Sequence, residues 1–418
     1  MDKIIIEGGF ELQGEVSISG AKNAALPIMA ATILADGTTR LTNLPALRDI
    51  NTISALLRHM GAQIETSNGA AEIRADGLDN PDAPYDLVKT MRASALVLGP
   101  LLARHGRARV SLPGGCAIGP RPIDLHLKAL EAMGAEIVLE HGYVNAEAPH
   151  GLRAADFSFD QVTVTGTENI MMAAALTQGR TILRNSAREP EVVDLARALN
   201  AMGARISGAG SDAIIIDGVT SLKAVEYQIM PDRIETGTFM VAAGLTRGRI
   251  TLKNAPVECI GAIRKKLEQA GLTIHIEGRD VRVQGPDRIV STDVKTEPYP
   301  GFPTDMQAQF MALMTVGTGL SVITETIFEN RFMHVSELKR MGADIRLEGN
   351  TALINAVPHL SGAPVMATDL RASASLVLAG LGATGLTELS RVYHIDRGYE
   401  KIEQKLSAVG ARIRRIKD

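Results

Sequence analysis

An eight-residue phrase, Leu-x-x-Met-Gly-Ala-x-Ile, recurs along the chain and constrains its fold more than any other feature. It occurs four times in clear form and twice in weaker form, in the order Leu57–Ile64, Leu130–Ile137, Leu199–Ile206, Leu267–Ile274 (weaker), Leu338–Ile345 and Leu406–Ile413 (weaker). Its glycine returns at intervals of about 70 residues, and self-similarity at a fixed period indicates repeated structural units. Six such units account for the whole chain of 418 residues.

A second pattern recurs in phase with the first. A polar residue opens a short apolar helix rich in Ala and Met, which ends at a glycine suited to a left-handed helix cap. Its six copies are Lys22–Gly37, Arg92–Gly106, Glu168–Gly179, Glu235–Gly248, Gln307–Gly319 and Arg371–Gly385. Alternating residues such as Arg180–Leu183 and Arg249–Leu252 follow the glycines and predict strands. Each unit is therefore predicted as a buried helix, a strand, an amphipathic helix that ends in Met-Gly-Ala, and further strands.

This period predicts two closed α/β domains of three units each, with helices inside and sheets outside or a layered equivalent. A period near 70 is longer than the 20–50 residues of open solenoids, and one core rarely exceeds about 250–300 residues. We expect one domain at residues 21–229 and the other at 230–418 together with 1–20. The predicted strand Lys3–Glu7 would complete the sheet of the second domain. Two crossings, near residues 20 and 230, would form a hinge for closing a cleft.

Composition excludes several classes of function. The 44 Lys and Arg nearly balance the 47 Asp and Glu, and aromatic residues make up 3% without any Trp, which argues against nucleic-acid and membrane-surface binding. The chain start lacks the apolar core of a signal peptide, and no stretch is long enough for a membrane span. Two cysteines and nine scattered histidines form no metal motif. We expect a cytoplasmic protein without metal or cofactor.

The segment Leu112–Pro122 holds three Gly and three Pro around Cys116, which predicts a loop. A free cysteine is most often a small buried hydrophobe, but a loop of this kind favours a functional thiol. Arg121 could stabilise its thiolate if the two are in contact. Cys259, at the front of a predicted helix, fits ordinary packing.

Lys22, Arg92 and Arg371 occupy equivalent positions at the start of predicted helices. A basic side chain opposes the helix dipole there unless an anion offsets it. The pattern leaves open an anion site, which the helix amides would also favour, and a solvent-exposed charge.

Two aspartates precede helices in matching contexts, Thr304-Asp305-Met306 and Thr368-Asp369-Leu370. Aspartate before a helix is a common N-cap, so both a cap and a catalytic carboxylate remain open. Arg397 could likewise be a functional cation or a surface partner of Asp396 or Glu400.

Long strings of this sequence resemble the enolpyruvyl transferase family, and within it the enzymes that act on UDP-N-acetylglucosamine. The resemblance covers nearly the whole chain and is carried by Gly20–Ala24, Lys89–Ser94, Pro113–Pro122, Pro231–Gly237, Phe302–Gln309, Phe328–His334, Thr368–Ser373 and Tyr393–Tyr399. It implies two inside-out α/β domains, each of three pseudo-symmetric repeat units, with the active site in the cleft between the domains. It also implies transfer of the enolpyruvyl group of phosphoenolpyruvate to the 3-hydroxyl of UDP-N-acetylglucosamine with release of phosphate, the first committed step of peptidoglycan synthesis.

The resemblance also implies roles for individual residues. Lys22, Arg121 and Arg397 would hold phosphoenolpyruvate, Asp305 would take the proton of the attacking hydroxyl, and Cys116 would act as general acid, form a pyruvate adduct and be alkylated by fosfomycin. Asp369, Arg331 and Arg371 match further active-site positions. The implied nucleotide-sugar contacts are Asn23, Arg92, Arg121, Pro122, Ile123, Asp124, Leu125, Gln161, Val162, Thr163, Val164, Asp305 and Ile327.

Arg48 departs from the family pattern, which has Lys here in some members; charge is kept, but geometry differs. Some members carry Asp in place of Cys116, and this chain does not, so fosfomycin sensitivity is predicted. Two alternatives remain: an enolpyruvyl transferase with another acceptor such as shikimate 3-phosphate, and a catalytically silent paralogue that binds nucleotide sugar.

Overall fold

Helices built largely from Ala, Leu and Met form the centre of each repeat. The computed structural model describes residues 2–89, 91–112 and 123–417. Over this part the α-helices are α1 (Lys22–Ala31), α2 (Arg48–His59), α3 (Tyr85–Val88), α4 (Leu98–His105), α5 (Asp124–Ala132), α6 (Val164–Ala175), α7 (Pro190–Ala201), α8 (Arg233–Thr246), α9 (Gly261–Gln269), α10 (Gln307–Met314), α11 (Val335–Arg340), α12 (Leu370–Gly382) and α13 (Ile402–Ala408). Short 3₁₀ helices cover Thr32–Leu34, Arg92–Val97, Val257–Cys259, Thr304–Met306 and Val392–Arg397.

The strands are short, mostly of five residues, and alternate between buried and exposed positions. They are β1 (Lys3–Glu7), β2 (Gln13–Ser17), β3 (Ala35–Asp36), β4 (Thr38–Thr42), β5 (Gln63–Ser67), β6 (Ala70–Arg74), β7 (Asp82–Ala83), β8 (Arg107–Ser111), β9 (Glu136–Glu140), β10 (Tyr143–Glu147), β11 (Asp156–Ser158), β12 (Arg180–Arg184), β13 (Arg205–Ser207), β14 (Ala213–Asp217), β15 (Leu222–Lys223), β16 (Glu226–Gln228), β17 (Arg249–Lys253), β18 (Thr273–Glu277), β19 (Asp280–Gln284), β20 (Val294–Lys295), β21 (Leu320–Thr324), β22 (Asp344–Glu348), β23 (Thr351–Asn355), β24 (Pro364–Met366), β25 (Leu386–Ser390) and β26 (Arg412–Ile416).

In the described part of the chain, six four-stranded sheets repeat one pairing pattern, which confirms the predicted repeats. Their strand orders are β16-β4-β6-β5, β7-β8-β10-β9, β11-β12-β14-β13, β2-β17-β19-β18, β20-β21-β23-β22 and β24-β25-β1-β26. In each sheet the first pairing is parallel and the other two are antiparallel. In the last sheet the N-terminal β1 takes the place that β6 has in the first sheet, so the chain start completes the sixth repeat.

The described chain divides into two compact units, each of which contains several repeats. The first unit is residues 2–19 with 231–417, and the second unit is residues 20–112 with 123–230. Each has its own apolar core. The central helices α1, α6, α8, α10 and α12 are buried over nearly their whole length, because apolar side chains lie on most of their sides. The helices that end in the repeated phrase, such as α2 and α7, bury one face and expose the other. Helices inside and sheets outside is therefore the arrangement within each unit.

The glycines of the repeated phrase all adopt the left-handed backbone, with φ between 91° and 109°, as expected for residues that end a helix. Among the glycines that follow the central helices, Gly37, Gly106, Gly179 and Gly385 also have positive φ. The prediction is wrong at Gly248 and Gly319. Before Gly248 the left-handed residue is Arg247, with φ 52°, so the turn is made one position earlier than the pattern indicated.

Candidate active site

Asp305 lies between two buried guanidinium groups. Its Oδ1 accepts a hydrogen bond from Nη2 of Arg331 at 2.6 Å, and its Oδ2 accepts from Nε and Nη2 of Arg371 at 3.1 and 2.9 Å. The side chains of Arg331 and Arg371 are 6% and 2% exposed, whereas that of Asp305 is 25% exposed. Charge-assisted hydrogen bonds of this kind fix a carboxylate, which has about four acceptor positions in all. Asp305 is thus a firmly held acceptor that still reaches solvent.

Of the two roles that the sequence left open for Asp305, the structure does not show the helix cap. Asp305 lies inside the 3₁₀ helix Thr304–Met306, whose N-cap residue is Pro303, and its oxygens accept from the two arginines. The cap is present at Asp369, whose Oδ1 accepts from the backbone N–H groups of Arg371 and Ala372 at 2.7 and 3.0 Å. By fixing the first turn of α12, Asp369 helps to place Arg371.

A buried hydrogen-bonded chain connects Arg331 to the segment that contains Ile327. Thr304 Oγ1 accepts from Nη1 of Arg331 at 2.7 Å and donates to Oε2 of Glu325 at 2.7 Å. The other oxygen of Glu325 accepts from the backbone N–H of Ile327 at 2.8 Å. Asp305, Arg331 and Ile327, three of the implied site residues, are therefore brought together, and Glu325 is a residue of this network that the sequence did not indicate.

Tyr399 and Gln309 support Asp305 and Arg371 from the core side. The hydroxyl of Tyr399 is 2.9 Å from Oγ1 of Thr238 and accepts from Nε2 of Gln309 at 3.0 Å. Gln309 also donates to the backbone carbonyl of Asp305 at 2.9 Å, and the guanidinium of Arg371 lies 5.3 Å from the ring centroid of Tyr399. Burial opposes the charge on Arg371, but Asp305, Tyr399 and Asp232 together outweigh burial and raise the pKa of Arg371. Tyr399 and Gln309 end two of the strings that carry the family resemblance, but the sequence assigned them no role, because a string does not show which residues meet in the core.

Arg397 is the last residue of the 3₁₀ helix Val392–Arg397, which packs on α12. Its neighbour Asp396 accepts from both terminal nitrogens of Arg415, and Glu400 accepts from Ser19 at 3.1 Å. Asp396 and Glu400 each have a partner from another part of the chain. Arg415 anchors the turn that carries Arg397.

In the second unit, Lys22 is the first residue of α1 and is buried. Its Nζ lies 3.3 Å from Oδ2 of Asp49, and the two side chains are 9% and 4% exposed. Lys22 is thus not a solvent-exposed charge, and a carboxylate of the chain itself, which the sequence did not reveal, lies beside this helix start. Asn23 follows Lys22 and is half-buried, and Arg48, the position that departs from the family pattern, is exposed at the first residue of α2.

The implied nucleotide-sugar contacts of this unit lie on three segments. Arg92 begins the 3₁₀ helix Arg92–Val97, although its side chain lies outside the described part. Asp124 and Leu125 are the first residues of α5, with Ile123 as its N-cap. Gln161 and Val162 precede α6, which begins at Val164 with Thr163 as its N-cap. Cys116, Arg121 and Pro122 lie outside the described residues. Cys259, in contrast, is half-buried at the end of Val257–Cys259, ahead of α9.

Each unit also buries one histidine in its neutral form. Burial lowers the pKa of His126 from 6.5 to about 4, with Asp124 opposing the change, and burial lowers that of His334 to about 4, with Asp369 opposing it and Arg331 adding to it. The unfolded chain therefore binds protons that the folded chain does not, and stability is lost as pH falls from about 6.5 towards 4. Each histidine is expected to lower the free energy of unfolding by about 2 kcal/mol between pH 7 and pH 5.

Urea unfolding at the two pH values measures this loss, and the variants His126→Asn and His334→Asn should each remove their share of it. A pH dependence that is the same in both variants as in the parent would contradict the assignment.

Among the described residues, His, Cys, Asp and Glu side chains do not gather in any group of three or more that could hold a metal ion. Within the same ranges, the helices are too short or too polar to cross a membrane.

Comparison with known proteins assigns the chain to a family. The family model for EPSP synthase (3-phosphoshikimate 1-carboxyvinyltransferase) matches residues 6–406. Proteins named UDP-N-acetylglucosamine 1-carboxyvinyltransferase from Desulfosudis oleivorans and Geobacter metallireducens are 63% and 61% identical, each over 100% of both chains.

Solved structures agree on the fold. The enolpyruvyl transferase NikO from Streptomyces tendae superposes with a TM-score of 0.89 at 24% identity, over 99% of this chain and 98% of its own. EPSP synthase from Acinetobacter baumannii gives a TM-score of 0.78 at 20% identity over 100% of both chains. The predicted fold class is thereby confirmed, and the chain belongs to the EPSP synthase (3-phosphoshikimate 1-carboxyvinyltransferase) family of transferases.

Proposed function

We propose that this protein transfers the enolpyruvyl group of phosphoenolpyruvate to the 3-hydroxyl of UDP-N-acetylglucosamine and releases inorganic phosphate. The observation that carries the proposal is the identity of 59–63% along the full chain to relatives named for this activity. The similarity to EPSP synthase at 20% identity supports the fold alone. The same proposal places the enzyme in the cytoplasm, at the first committed step of peptidoglycan synthesis, on which cell shape and division depend.

The proposed reaction is an addition followed by an elimination. A proton is added to the methylene carbon of phosphoenolpyruvate, which leaves positive character at the adjacent carbon. The sugar oxygen bonds to that carbon and gives up its own proton, which forms a tetrahedral phosphate ketal. Loss of phosphate, together with a proton from the new methyl group, restores the double bond. The first proton is assigned to the thiol of Cys116, and the hydroxyl proton is assigned to Asp305.

The contacts of Asp305 support its assignment as the base. An ionised carboxylate only accepts hydrogen bonds, and Arg331 and Arg371 hold this one in a fixed position at short distance. General bases contribute when they are within hydrogen-bond reach of the proton that they remove. The carboxylate of Asp305 is partly exposed, whereas the two arginines that hold it are buried. This arrangement suits a base that takes the proton of a hydroxyl on a substrate arriving from solvent.

Basic residues suit the binding of the anionic substrates. We assign Lys22, Arg121 and Arg397 to phosphoenolpyruvate, because arginine and lysine bind phosphate and carboxylate through charge-assisted hydrogen bonds. We assign Asn23, Arg92 and the starts of α5 and α6 to the nucleotide sugar. The helix starts offer backbone N–H groups, which favour a diphosphate.

Phosphate release tests the proposal directly. The protein is incubated with phosphoenolpyruvate and either UDP-N-acetylglucosamine or shikimate 3-phosphate. Phosphate release that depends on the nucleotide sugar is the expected result. Release only with shikimate 3-phosphate would overturn the acceptor, and no release with either, despite binding of the nucleotide sugar, would favour a silent paralogue.

The proposed thiol acid gives a second expected result. Cys116→Ala should lose most activity at neutral pH, by about a hundredfold or more, because general acid catalysis is removed. Preincubation of the parent with fosfomycin and nucleotide sugar should abolish activity and add the mass of fosfomycin to the peptide that contains Cys116. Cys259→Ala is the matched control and should keep both activity and sensitivity. Full activity of the treated parent without a mass increase would contradict this role.

A further inference from the structure

A directed chain of hydrogen bonds runs through the core of the second unit and joins three helices. Asn169 of α6, fully buried, is at its centre. Its Oδ1 accepts from the backbone N–H of Gly99 in α4 at 2.6 Å, and its Nδ2 is 2.9 Å from the backbone carbonyl of Ala95. The same Nδ2 is 2.9 Å from Nδ1 of His126 in α5. Nε2 of His126 is 3.2 Å from Oγ1 of Thr165, at the exposed start of α6.

The backbone groups at one end fix every donor and acceptor along this chain. The N–H of Gly99 can only donate and the carbonyl of Ala95 can only accept, so the amide of Asn169 has one possible orientation. Its Nδ2 must then donate to His126, whose Nδ1 must accept. A neutral imidazole that accepts at Nδ1 carries its proton on Nε2, so His126 donates to Thr165.

Burial agrees with this tautomer. His126 is 3% exposed, and burial lowers its pKa to about 4, so the ring is neutral at physiological pH. Close packing also fixes the contact between Gly99 and Asn169, because a Cβ added to Gly99 would lie 2.4 Å from both the backbone oxygen and Oδ1 of Asn169. Backbone and side chain therefore meet at a point where no larger residue fits without a shift.

The joined elements are those that carry the proposed nucleotide-sugar contacts of this unit. Ala95 lies in the 3₁₀ helix that begins at Arg92, His126 follows Ile123–Leu125, and Thr165 follows Gln161–Val164. We propose that the chain Gly99–Asn169–His126–Thr165 is a positioning device that sets these three segments relative to one another for binding of the nucleotide sugar. This inference rests on the proposed function. His126 and Asn169 act through their neighbours and are positioning residues.

The test separates nucleotide-sugar binding from general stability. His126→Leu and Asn169→Leu break the chain in the core, while Thr165→Val removes its last acceptor at an exposed site where folding is not at risk. Asn200→Leu is the matched control, because Asn200 joins α7 to β13 through two hydrogen bonds to Ile206 in the same unit. The dissociation constant of UDP-N-acetylglucosamine is measured by calorimetry, KM for each substrate and kcat are measured by phosphate release, and Tm is measured for every variant.

We expect the two core variants to raise the dissociation constant and KM of the nucleotide sugar about tenfold, and Thr165→Val to raise them about threefold, since each leaves a polar group unsatisfied. KM for phosphoenolpyruvate and kcat should change less than about twofold, as should all constants of Asn200→Leu. The double variant His126→Leu/Asn169→Leu should resemble either single variant, because one chain is broken in each case. His126→Asn, which keeps the acceptor for Asn169, should restore part of the affinity.

The inference is overturned if His126→Leu, Asn169→Leu and Asn200→Leu weaken binding of the nucleotide sugar equally. It is also overturned if no variant weakens this binding while the parent binds and turns over the nucleotide sugar. A parent that fails to bind UDP-N-acetylglucosamine would instead overturn the proposed function, and this inference with it.

Discussion

Replacing Asp305 by asparagine is expected to lower kcat about a thousandfold, the middle of the range found when a general base is removed. The amide has one acceptor where the carboxylate has two, so it can satisfy Arg331 or Arg371 but must present its N–H₂ to the other guanidinium. The free energy of unfolding should therefore fall as well, by about 1–3 kcal/mol. KM for phosphoenolpyruvate should change little.

Phosphate release at saturating substrates measures kcat, and urea unfolding measures stability. Asp156→Asn is the matched control, because Asp156 also accepts two hydrogen bonds from one arginine, Arg184, but at an exposed site. It should keep kcat within about twofold, as surface substitutions usually do. Asp305→Asn with the kcat of the parent would remove Asp305 from the mechanism.

Arg371→Met is expected to produce the second large effect, on stability and activity together. Arg371 is 2% exposed and makes two hydrogen bonds to one oxygen of Asp305. Methionine fills part of the volume but removes both hydrogen bonds from Arg371 to Asp305. Breaking a buried ion pair in this way costs about 3 kcal/mol or more of unfolding free energy. Because the base then loses the contacts that fix one of its oxygens, kcat should fall about a hundredfold.

The control is Arg184→Met, which breaks the exposed pair with Asp156 and should cost less than about 1 kcal/mol. Arg371→Lys keeps the charge but not the forked geometry, so its kcat should lie between those of the parent and Arg371→Met. If Arg371→Met matched Arg184→Met in both unfolding free energy and kcat, the hydrogen bonds from Arg371 to Asp305 would have no role in stability or catalysis.

The architecture could be predicted because its determinants repeat. Each copy of the eight-residue phrase contributes a helix, a left-handed glycine and a strand, and the six copies report the same local structure independently. Local interactions were also accessible: the cap at Asp369 uses backbone groups two and three residues ahead. Where a neighbour in sequence can make the same turn, the prediction fails, as at Gly248, where Arg247 takes the left-handed conformation.

The site could be predicted from the sequence only in part, because its contacts join residues that are far apart in the chain. The partners of Asp305 lie 26 and 66 residues away in sequence, and Asp49 lies 27 residues from Lys22. Basic residues at helix starts left open an anion site and a solvent-exposed charge, and a local pattern does not reveal that Lys22 lies beside Asp49 or that Arg371 binds Asp305. Asn169 and His126 were missed for the same reason, since each looks like an ordinary helix residue until α4, α5 and α6 are packed together.

The identity of the product tests the central claim most directly. Phosphoenolpyruvate labelled with carbon-13 at its central carbon is incubated with UDP-N-acetylglucosamine and the parent protein, and the product is examined by NMR. The account predicts an enol ether carbon coupled to the proton on carbon 3 of the sugar, formed in step with phosphate. A label that remains in phosphoenolpyruvate, or that appears as free pyruvate or on another hydroxyl, would contradict it.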